Sequence, residues 1–215
     1  MYNFISKILD VILVKMSKSL YVIGKENIPK DSKYVVTCTH ESYNEVIMLG
    51  MALLPNQIHY MAKKELFKNQ WAGKFLKSLN AFPVDRENPG PSTLKKPVNL
   101  LKEHKTIGIF PTGHRTSVEG APLKRGAATI AMLGKAPILP AAYVGPKKIH
   151  GLITGQALIK IGKPIEMDDN LRSAYGIHKP QKQNSHFLVV PYLYHHRLGM
   201  RSFYLHSSHV ITNQL

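Results

Sequence analysis

Residues 34–45 read YVVTCTHESYNE and show most clearly how this chain folds. The first half is apolar and rich in β-branched residues, which is typical of a buried strand. After a short polar turn, apolar residues recur at helical spacing from Glu45 to Leu54, and the pattern stops at Pro55. A strand that passes into a helix in this way is the building unit of an α/β domain.

The same alternation continues along the chain and predicts a domain over residues 21–170. Apolar, β-branched runs predict further strands at Ile58–Ala62, Phe82–Val84, Thr106–Phe110, Ile138–Val144 and Leu158–Ile161. Between them, helical spacing predicts helices at Glu65–Leu79, Thr93–His104 and Gly126–Leu133. The predicted fold class is therefore α/β, with a mostly parallel central sheet flanked by helices.

The N-terminal segment, residues 1–20, has a different pattern. It reads MYNFISKILDVILVKMSKSL, with apolar residues at helical spacing and lysines between them, so we predict an amphipathic helix. Such a helix either lies in a membrane interface with its lysines toward anionic headgroups, or packs on the protein's own core. No run of about 18 apolar residues occurs, so no transmembrane span is expected. The features of a secretory signal are also missing.

The C-terminal segment, residues 171–215, contains no Asp or Glu but six of the 11 histidines of the chain. Those six are His178, His186, His195, His196, His206 and His209. A His-rich tract can bind metal, but these histidines lack a spacing that specifies a site. We favour the interpretation that the segment is foreign to the domain, for example through a frameshift near residue 171, or that it is a loosely ordered extension.

The charge and cysteine content narrow the possible functions. The formal charge is +16, from 29 Lys and Arg against 13 Asp and Glu, which favours an anionic partner. The basic residues are spread along the chain without a recognised nucleic-acid-binding motif, which argues against nucleic acid. Cys38 is the only cysteine, so an intrachain disulfide and a multi-cysteine zinc site are excluded. We expect Cys38 to be a small buried hydrophobic residue, and we favour this over the alternative that it is a nucleophile.

His40 is the first candidate for chemistry, because it follows the predicted strand at the sheet edge where α/β sites form. Ser42 and Glu45 have the spacing of a capping box for the next helix. Glu45 could instead reach back to the His40 ring, fix its tautomer and leave the other ring nitrogen as a base. The sequence leaves both interpretations open.

Two further clusters could hold an anion. Asp85 and Arg86 end a predicted strand, and a Pro/Gly turn after the strand at Thr106–Phe110 carries Arg115. Arginine presents a planar fork of donors suited to phosphate, and turn amides also bind anionic oxygens. The plain alternatives are a surface ion pair and an ordinary polar loop. Lys124 adds positive charge nearby in the sequence.

Taken in order, these clusters resemble the glycerolipid acyltransferase family of 1-acylglycerol-3-phosphate acyltransferases. The family's first block is H-x-x-x-x-D, matched here by His40 and Glu45, with Glu in place of Asp. Its second block ends in Asp-Arg, as at Val84-Asp85-Arg86. The similarity covers about residues 20–165.

The third and fourth family blocks are matched with departures. The third is F-P-E-G-T-R-S, and residues 110–117 read FPTGHRTS, with Thr112 for Glu and His114 for Thr. The fourth is an apolar stretch around a proline, matched by Pro140. Thr112 and His114 lie in the block linked to the acceptor, so they leave the acceptor's identity open.

The resemblance implies roles for the individual residues. His40 would be the general base that activates the acceptor hydroxyl, and Glu45 would orient it. Gly113 would let a backbone amide approach the oxyanion of the tetrahedral intermediate. Arg86 and Arg115, helped by Lys124, would hold the acceptor phosphate.

The resemblance also implies partners and a location. The acyl donor would be acyl-CoA or acyl-carrier protein, the acceptor a lysophospholipid, and neither a metal nor a prosthetic group is expected. The enzyme would lie on an anionic membrane surface, peripheral or monotopic, at the cytoplasmic face of the cell membrane. The alternatives are an acyltransferase for another acceptor, such as glycerol-3-phosphate or a different lysophospholipid, a basic nucleic-acid-binding protein, or an inactive remnant.

Overall fold

The computed structural model describes residues 2–9, 11, 19–38, 40, 42–85, 90–111 and 126–167. The helices are α1 Tyr2–Leu9, α2 Asn44–Ala52, α3 Gln70–Ser78, α4 Pro91–Lys102, α5 Gly126–Gly134 and α6 Gly151–Thr154, with 3-10 helices at Lys25–Asn27 and Lys64–Phe67. The strands are β1 Leu20–Ile23, β2 Val35–Thr37, β3 Ile58–Lys63, β4 Phe82–Val84, β5 Thr106–Ile109, β6 Ile138–Val144 and β7 Ala157–Ile161. The His-rich segment 171–215, and with it the frameshift hypothesis, lies outside the described residues.

The strands form one seven-stranded sheet in the order β1-β7-β6-β2-β5-β3-β4. Strands β2 to β6 run parallel to one another, whereas β7 is antiparallel to β6 and β1 is parallel to β7. This confirms the predicted α/β fold with a mostly parallel central sheet flanked by helices. Because β2 to β6 share one direction, their carboxyl ends lie along a single edge of the sheet, which we call the carboxyl edge.

The core lies on both faces of the sheet. Val35 belongs to one apolar cluster, with residues of α4 and α5, while Val36 belongs to the other, with residues of α2. Adjacent residues of a strand point to opposite faces, so a strand that is apolar at every position is buried on both sides. This accounts for the unbroken apolar run that opens the strand β2.

Most predicted elements are present with shifted ends, and two were missed. Strand β1 was missed because Leu20 was assigned to the N-terminal helix and only alternate residues of the strand are shielded from solvent. The short helix α6 has no sequence pattern of its own. Helix α2 ends at Ala52, earlier than predicted, since Leu54 precedes a proline and is therefore disfavoured in helical geometry. Helix α4 includes Pro97 within its span.

Gly108 in the central strand β5 makes room for an aromatic side chain on the α2 face. A Cβ atom at this position would come within 2.6 Å of Ile58 Cγ2 and 2.7 Å of Tyr60 Cδ1. The Tyr60 ring therefore lies directly against the backbone of β5. This close approach is possible only because residue 108 has no side chain.

Gly108→Ala is expected to lower the free energy of unfolding by about 1–3 kcal/mol, the usual cost of overpacking a core. Urea denaturation measures this change. Gly126→Ala is the matched control, because a Cβ at Gly126 meets nothing within 4 Å. If Gly108→Ala were as stable as the control variant, Tyr60 would not lie against β5 as described.

Candidate active site

His40 lies just beyond the carboxyl end of β2 and is held there by aromatic stacking. Its ring stacks on Phe110, with centroids 4.1 Å apart and an interplanar angle of 23°. Phe110 follows β5, and Tyr60 of β3 lies next in the row, its ring centroid 6.1 Å from that of Phe110. The His40 side chain keeps 11% of its surface exposed.

Tyr60 connects this row of three rings to helix α2. Its hydroxyl donates a hydrogen bond of 2.8 Å to the carbonyl oxygen of Val46 in α2. Burial raises the pKa of Tyr60 well above its ordinary value, so the hydroxyl stays protonated and keeps donating. The three rings and the start of α2 thus form one packed unit on the same face of the sheet.

Glu45 makes both of the contacts that the sequence left open. Its side chain is only 1% exposed, and its Oε2 lies 3.2 Å from His40 Nδ1. The other oxygen, Oε1, accepts a hydrogen bond of 3.1 Å from the backbone N–H of Ser42, as in a capping box. The Glu side chain, one methylene longer than Asp, reaches both partners from the first turn of α2.

This arrangement decides which nitrogen of His40 can act as a base. A backbone N–H can only donate, so Glu45 Oε1 is an acceptor, and an ionised carboxylate has only acceptors to offer to the ring. The hydrogen bond to Glu45 is therefore made by Nδ1–H of His40. In the neutral imidazole the Nε2 atom is then unprotonated and available to take a proton.

The start of α2 is fixed by a small network of polar contacts. The backbone N–H of Asn44 donates to Ser42 Oγ at 3.2 Å. The Asn44 Nδ2 donates to the carbonyl oxygens of Pro146 and Lys148, at 2.6 Å and 3.0 Å, in the loop after β6. These bonds hold the first turn of α2, and with it Glu45, against the neighbouring loop.

Tyr143 of β6 belongs to the same network, because it shares the Pro146 carbonyl oxygen with Asn44. Its hydroxyl donates a hydrogen bond of 2.8 Å to the Pro146 carbonyl oxygen. Burial, together with a smaller contribution from the negative charge of Glu45, raises the pKa of Tyr143 to about 12. The tyrosine therefore remains neutral and adds no second negative charge beside the Glu45 carboxylate.

Comparisons with known proteins identify the family. Residues 19–144 match the sequence profile of the family described as Acyltransferase. The chain belongs to the acyltransferase family. It is 53% identical over 184 residues to a 1-acyl-sn-glycerol-3-phosphate acyltransferase of Bacillus subtilis, covering 85% of this chain and 88% of that protein. The resemblance inferred from the sequence motifs is confirmed, and the protein is an acyltransferase enzyme.

More distant relatives agree with this assignment. An enzyme of the same name from Streptococcus pneumoniae is 33% identical over 171 residues, which cover 78% of this acyltransferase and 64% of the relative. The crystal structure of an LPA acyltransferase, PlsC, from Thermotoga maritima matches with a TM-score of 0.61 and 23% identity. That match covers 80% of this chain and 76% of the other, and it shows a shared fold.

The structure brings His40 and Glu45 together, as the sequence suggested for this pair. The other four predicted site residues of the acyltransferase, which are Arg86, Gly113, Arg115 and Lys124, lie outside the described residues. Asp85, next to Arg86, pairs with Lys64 at 2.5 Å. Cys38 is fully buried, as expected for a small hydrophobe.

Sequence reasoning missed the residues that pack around His40 and Glu45. Phe110 was noted only as the end of a predicted strand and as part of a family motif, and Tyr60 and Asn44 were not singled out. Tyr60 stands two residues after Ile58, so the two side chains share one face of the strand. This spacing does not reveal which residues of other strands Tyr60 contacts. In the described ranges, no three His, Cys, Asp or Glu side chains come together as metal ligands.

Glu45→Gln should lower the turnover number of the acyltransferase by about 100-fold or more while leaving the fold intact, because a neutral amide cannot stabilise a charged His40 ring. Glu45→Asp keeps the charge and is expected to retain more activity than the Gln variant. Steady-state kinetics on all three proteins measure the effect, with circular dichroism as the control for folding. Wild-type turnover in Glu45→Gln would contradict the role assigned to the carboxylate.

Proposed function

We propose that this acyltransferase moves a fatty acyl group from an acyl thioester to the free hydroxyl of 1-acylglycerol-3-phosphate, giving phosphatidic acid for phospholipid biosynthesis. The observation that carries the proposal is the contact of 3.2 Å between His40 Nδ1 and the buried carboxylate of Glu45. The name of the Bacillus subtilis relative supports the choice of acceptor, since 85% of this chain aligns with that enzyme.

The proposed reaction is a direct transfer. His40 Nε2 takes the proton of the acceptor hydroxyl as its oxygen attacks the thioester carbonyl carbon. A C–O bond forms, the tetrahedral intermediate collapses, the C–S bond breaks, and the leaving thiolate receives the proton from the His40 imidazolium. Glu45 holds the ring in place and stabilises its charged form during the step. No covalent enzyme intermediate and no metal or prosthetic group takes part in this scheme.

The acceptor phosphate would be held by guanidinium and ammonium groups. Arg86, Arg115 and Lys124 have the chemistry for this, because they offer charge-assisted hydrogen bonds to phosphate oxygens. The backbone amide near Gly113 would stabilise the oxyanion of the intermediate. The support for these roles is that the residues stand in the sequence blocks that resemble those of the family.

The donor and the location belong to the same proposal. Acyl-CoA and acyl-carrier protein are both acidic and suit a chain with a formal charge of +16. The lipid acceptor places the enzyme at an anionic membrane surface, on the cytoplasmic face of the cell membrane, as a peripheral or monotopic protein. In the described part of the chain, no helix is long and apolar enough to cross a membrane. Phe4, Ile8 and Val11 are exposed at helical spacing, as an interfacial helix requires.

A related acceptor is the second candidate. Thr112 and His114 replace the Glu and Thr of the family's third block, which is the block linked to acceptor binding. These changes favour testing glycerol-3-phosphate and other lysophospholipids beside 1-acylglycerol-3-phosphate.

His40→Ala should reduce acyl transfer to 1-acylglycerol-3-phosphate by at least about 100-fold, the lower range for loss of a general base. The assay follows a labelled acyl chain from acyl-CoA, and separately from acyl-carrier protein, into phosphatidic acid, with the acceptors above tested in parallel. Tyr43→Phe is the control for damage near the site, because Tyr43 is exposed and next to the start of α2. Undiminished product formation by His40→Ala would overturn the mechanism.

Arg115→Ala should raise the KM for an acceptor with a phosphate group much more than the KM for a neutral one. The reason is that the guanidinium would bind the phosphate and not the hydroxyl that reacts. The KM values of the wild type and the variant are measured for 1-acylglycerol-3-phosphate and for monoacylglycerol, the neutral acceptor, at whatever rate the enzyme turns monoacylglycerol over. Equal changes for both acceptors would show that Arg115 does not bind the phosphate.

A further inference from the structure

Three large apolar side chains are exposed on the segment between β3 and β4. Leu66 in the 3-10 helix is 45% exposed, and Trp71 and Phe75 in α3 are 82% and 50% exposed. Trp71 and Phe75 are four residues apart and therefore lie on the same side of the helix. A concentration of exposed aromatic surface of this kind marks an interaction site.

The way α3 is seated keeps these side chains turned outward. The Asn69 side chain caps the helix and accepts hydrogen bonds from the backbone N–H groups of Trp71 and Ala72, at 3.0 Å and 3.1 Å. Gly73 is buried against the 3-10 helix, where a Cβ atom would lie 3.1 Å from the Phe67 carbonyl oxygen. The inner side of α3 is thus packed through a glycine, and its aromatic side chains remain on the solvent side.

Two exposed lysines lie beside the aromatic side chains in the sequence. Lys68 and Lys74 are exposed, and Lys74 Nζ lies 5.7 Å from the centroid of the Trp71 ring. Glu65 is the only acidic residue in the sequence from 64 to 78. We call Leu66, Trp71, Phe75 and these two lysines the tryptophan patch. Tryptophan and lysine together suit the headgroup region of a bilayer, where the ring is partly buried and the ammonium meets lipid phosphate.

The tryptophan patch is attached to the edge of the sheet that carries the catalytic pair. The 3-10 helix begins at Lys64, directly after β3 ends at Lys63. Strand β3 is parallel to β5, and β5 is parallel to β2, so all three end at the carboxyl edge. His40 lies just beyond β2 at that edge. A membrane that contacts the start of α3 is therefore close to the side from which a lipid would reach His40.

We propose that the tryptophan patch docks into the interface of an anionic phospholipid bilayer and turns the carboxyl edge of the sheet toward the lipid. The bilayer is favoured as the occupant because the patch combines aromatic rings with excess positive charge. This inference rests on the proposed function, which supplies a lipid acceptor, but it concerns residues away from the reaction itself. It adds a second contact to the one proposed for the N-terminal helix.

Trp71 is the only tryptophan in the chain, so its fluorescence reports on the patch in the full-length protein. The protein is mixed with phosphatidylcholine vesicles that either contain or lack phosphatidylglycerol. We expect a shift of the emission to shorter wavelength, and quenching by lipids brominated on the acyl chain, with the phosphatidylglycerol vesicles. Co-sedimentation of the same samples shows how much protein is bound.

Phe75→Ser keeps the reporter and should weaken binding to the anionic vesicles by about 10-fold, since one aromatic side chain no longer enters the interface. Ile23→Ser is the matched control. Ile23 is 53% exposed, similar to Phe75, but lies on β1 at the opposite end of the sheet from β4. We expect its vesicle binding to stay within about twofold of the wild type.

Protein that co-sediments without a change in Trp71 emission would be bound through another surface, which would overturn the proposal. No binding to anionic vesicles, or equal binding by Phe75→Ser and Ile23→Ser, would also overturn it. Acyl transfer to acceptor dispersed in detergent is measured separately, and Phe75→Ser should retain it. A wild-type protein inactive in detergent would refute the proposed function, whereas the fluorescence result would still decide whether the patch binds the bilayer.

Discussion

The hydrogen bond between Glu45 and His40 is the interaction on which the site depends. Glu45 is 1% exposed, so its carboxylate is removed from water and must be satisfied by the protein. It is satisfied by the Ser42 N–H on one oxygen and by the His40 ring on the other. These two bonds offset the cost of burying the charge. The bond to Ser42 holds the carboxylate in place, and the bond to His40 then fixes the imidazole. The orientation of the imidazole and the stability of the start of α2 are therefore linked.

The fold explains why these groups meet at one place. The parallel strands β2, β5 and β3 end side by side at the carboxyl edge. His40 and Phe110 stand just beyond the ends of β2 and β5, and Tyr60 lies within β3 beside Phe110. Gly108 lets the Tyr60 ring lie against β5, and Phe110 fills the space between that ring and His40. A stack of flat rings leaves the imidazole little freedom to turn. The histidine is thus held from one side by packing and from another by the carboxylate.

Much of this could be predicted from the sequence, because periodicity is local. The strand run before His40 and the helical spacing after Glu45 gave the α/β unit, and the ordered motifs gave the family. The double role of Glu45 could not be predicted, since it depends on the backbone angle at which the chain enters α2. The stacking of Phe110 on His40 joins residues on strands that are far apart in the sequence. The pairing of strand β1 with β7, at Leu20 to Ala157, is more distant still and gave no sign in the sequence around Leu20.

The most direct test of the account is the tautomer of His40 in the resting enzyme. ¹⁵N-labelled histidine in the full-length protein gives long-range ¹H–¹⁵N spectra that distinguish the two ring nitrogens, and His40→Gln identifies the signal among the 11 histidines. If Glu45 accepts from Nδ1–H, the neutral ring carries its proton on Nδ1, and Nε2 shows the chemical shift of an unprotonated nitrogen. A His40 ring protonated on Nε2 instead would leave no base facing the substrate and would contradict the account.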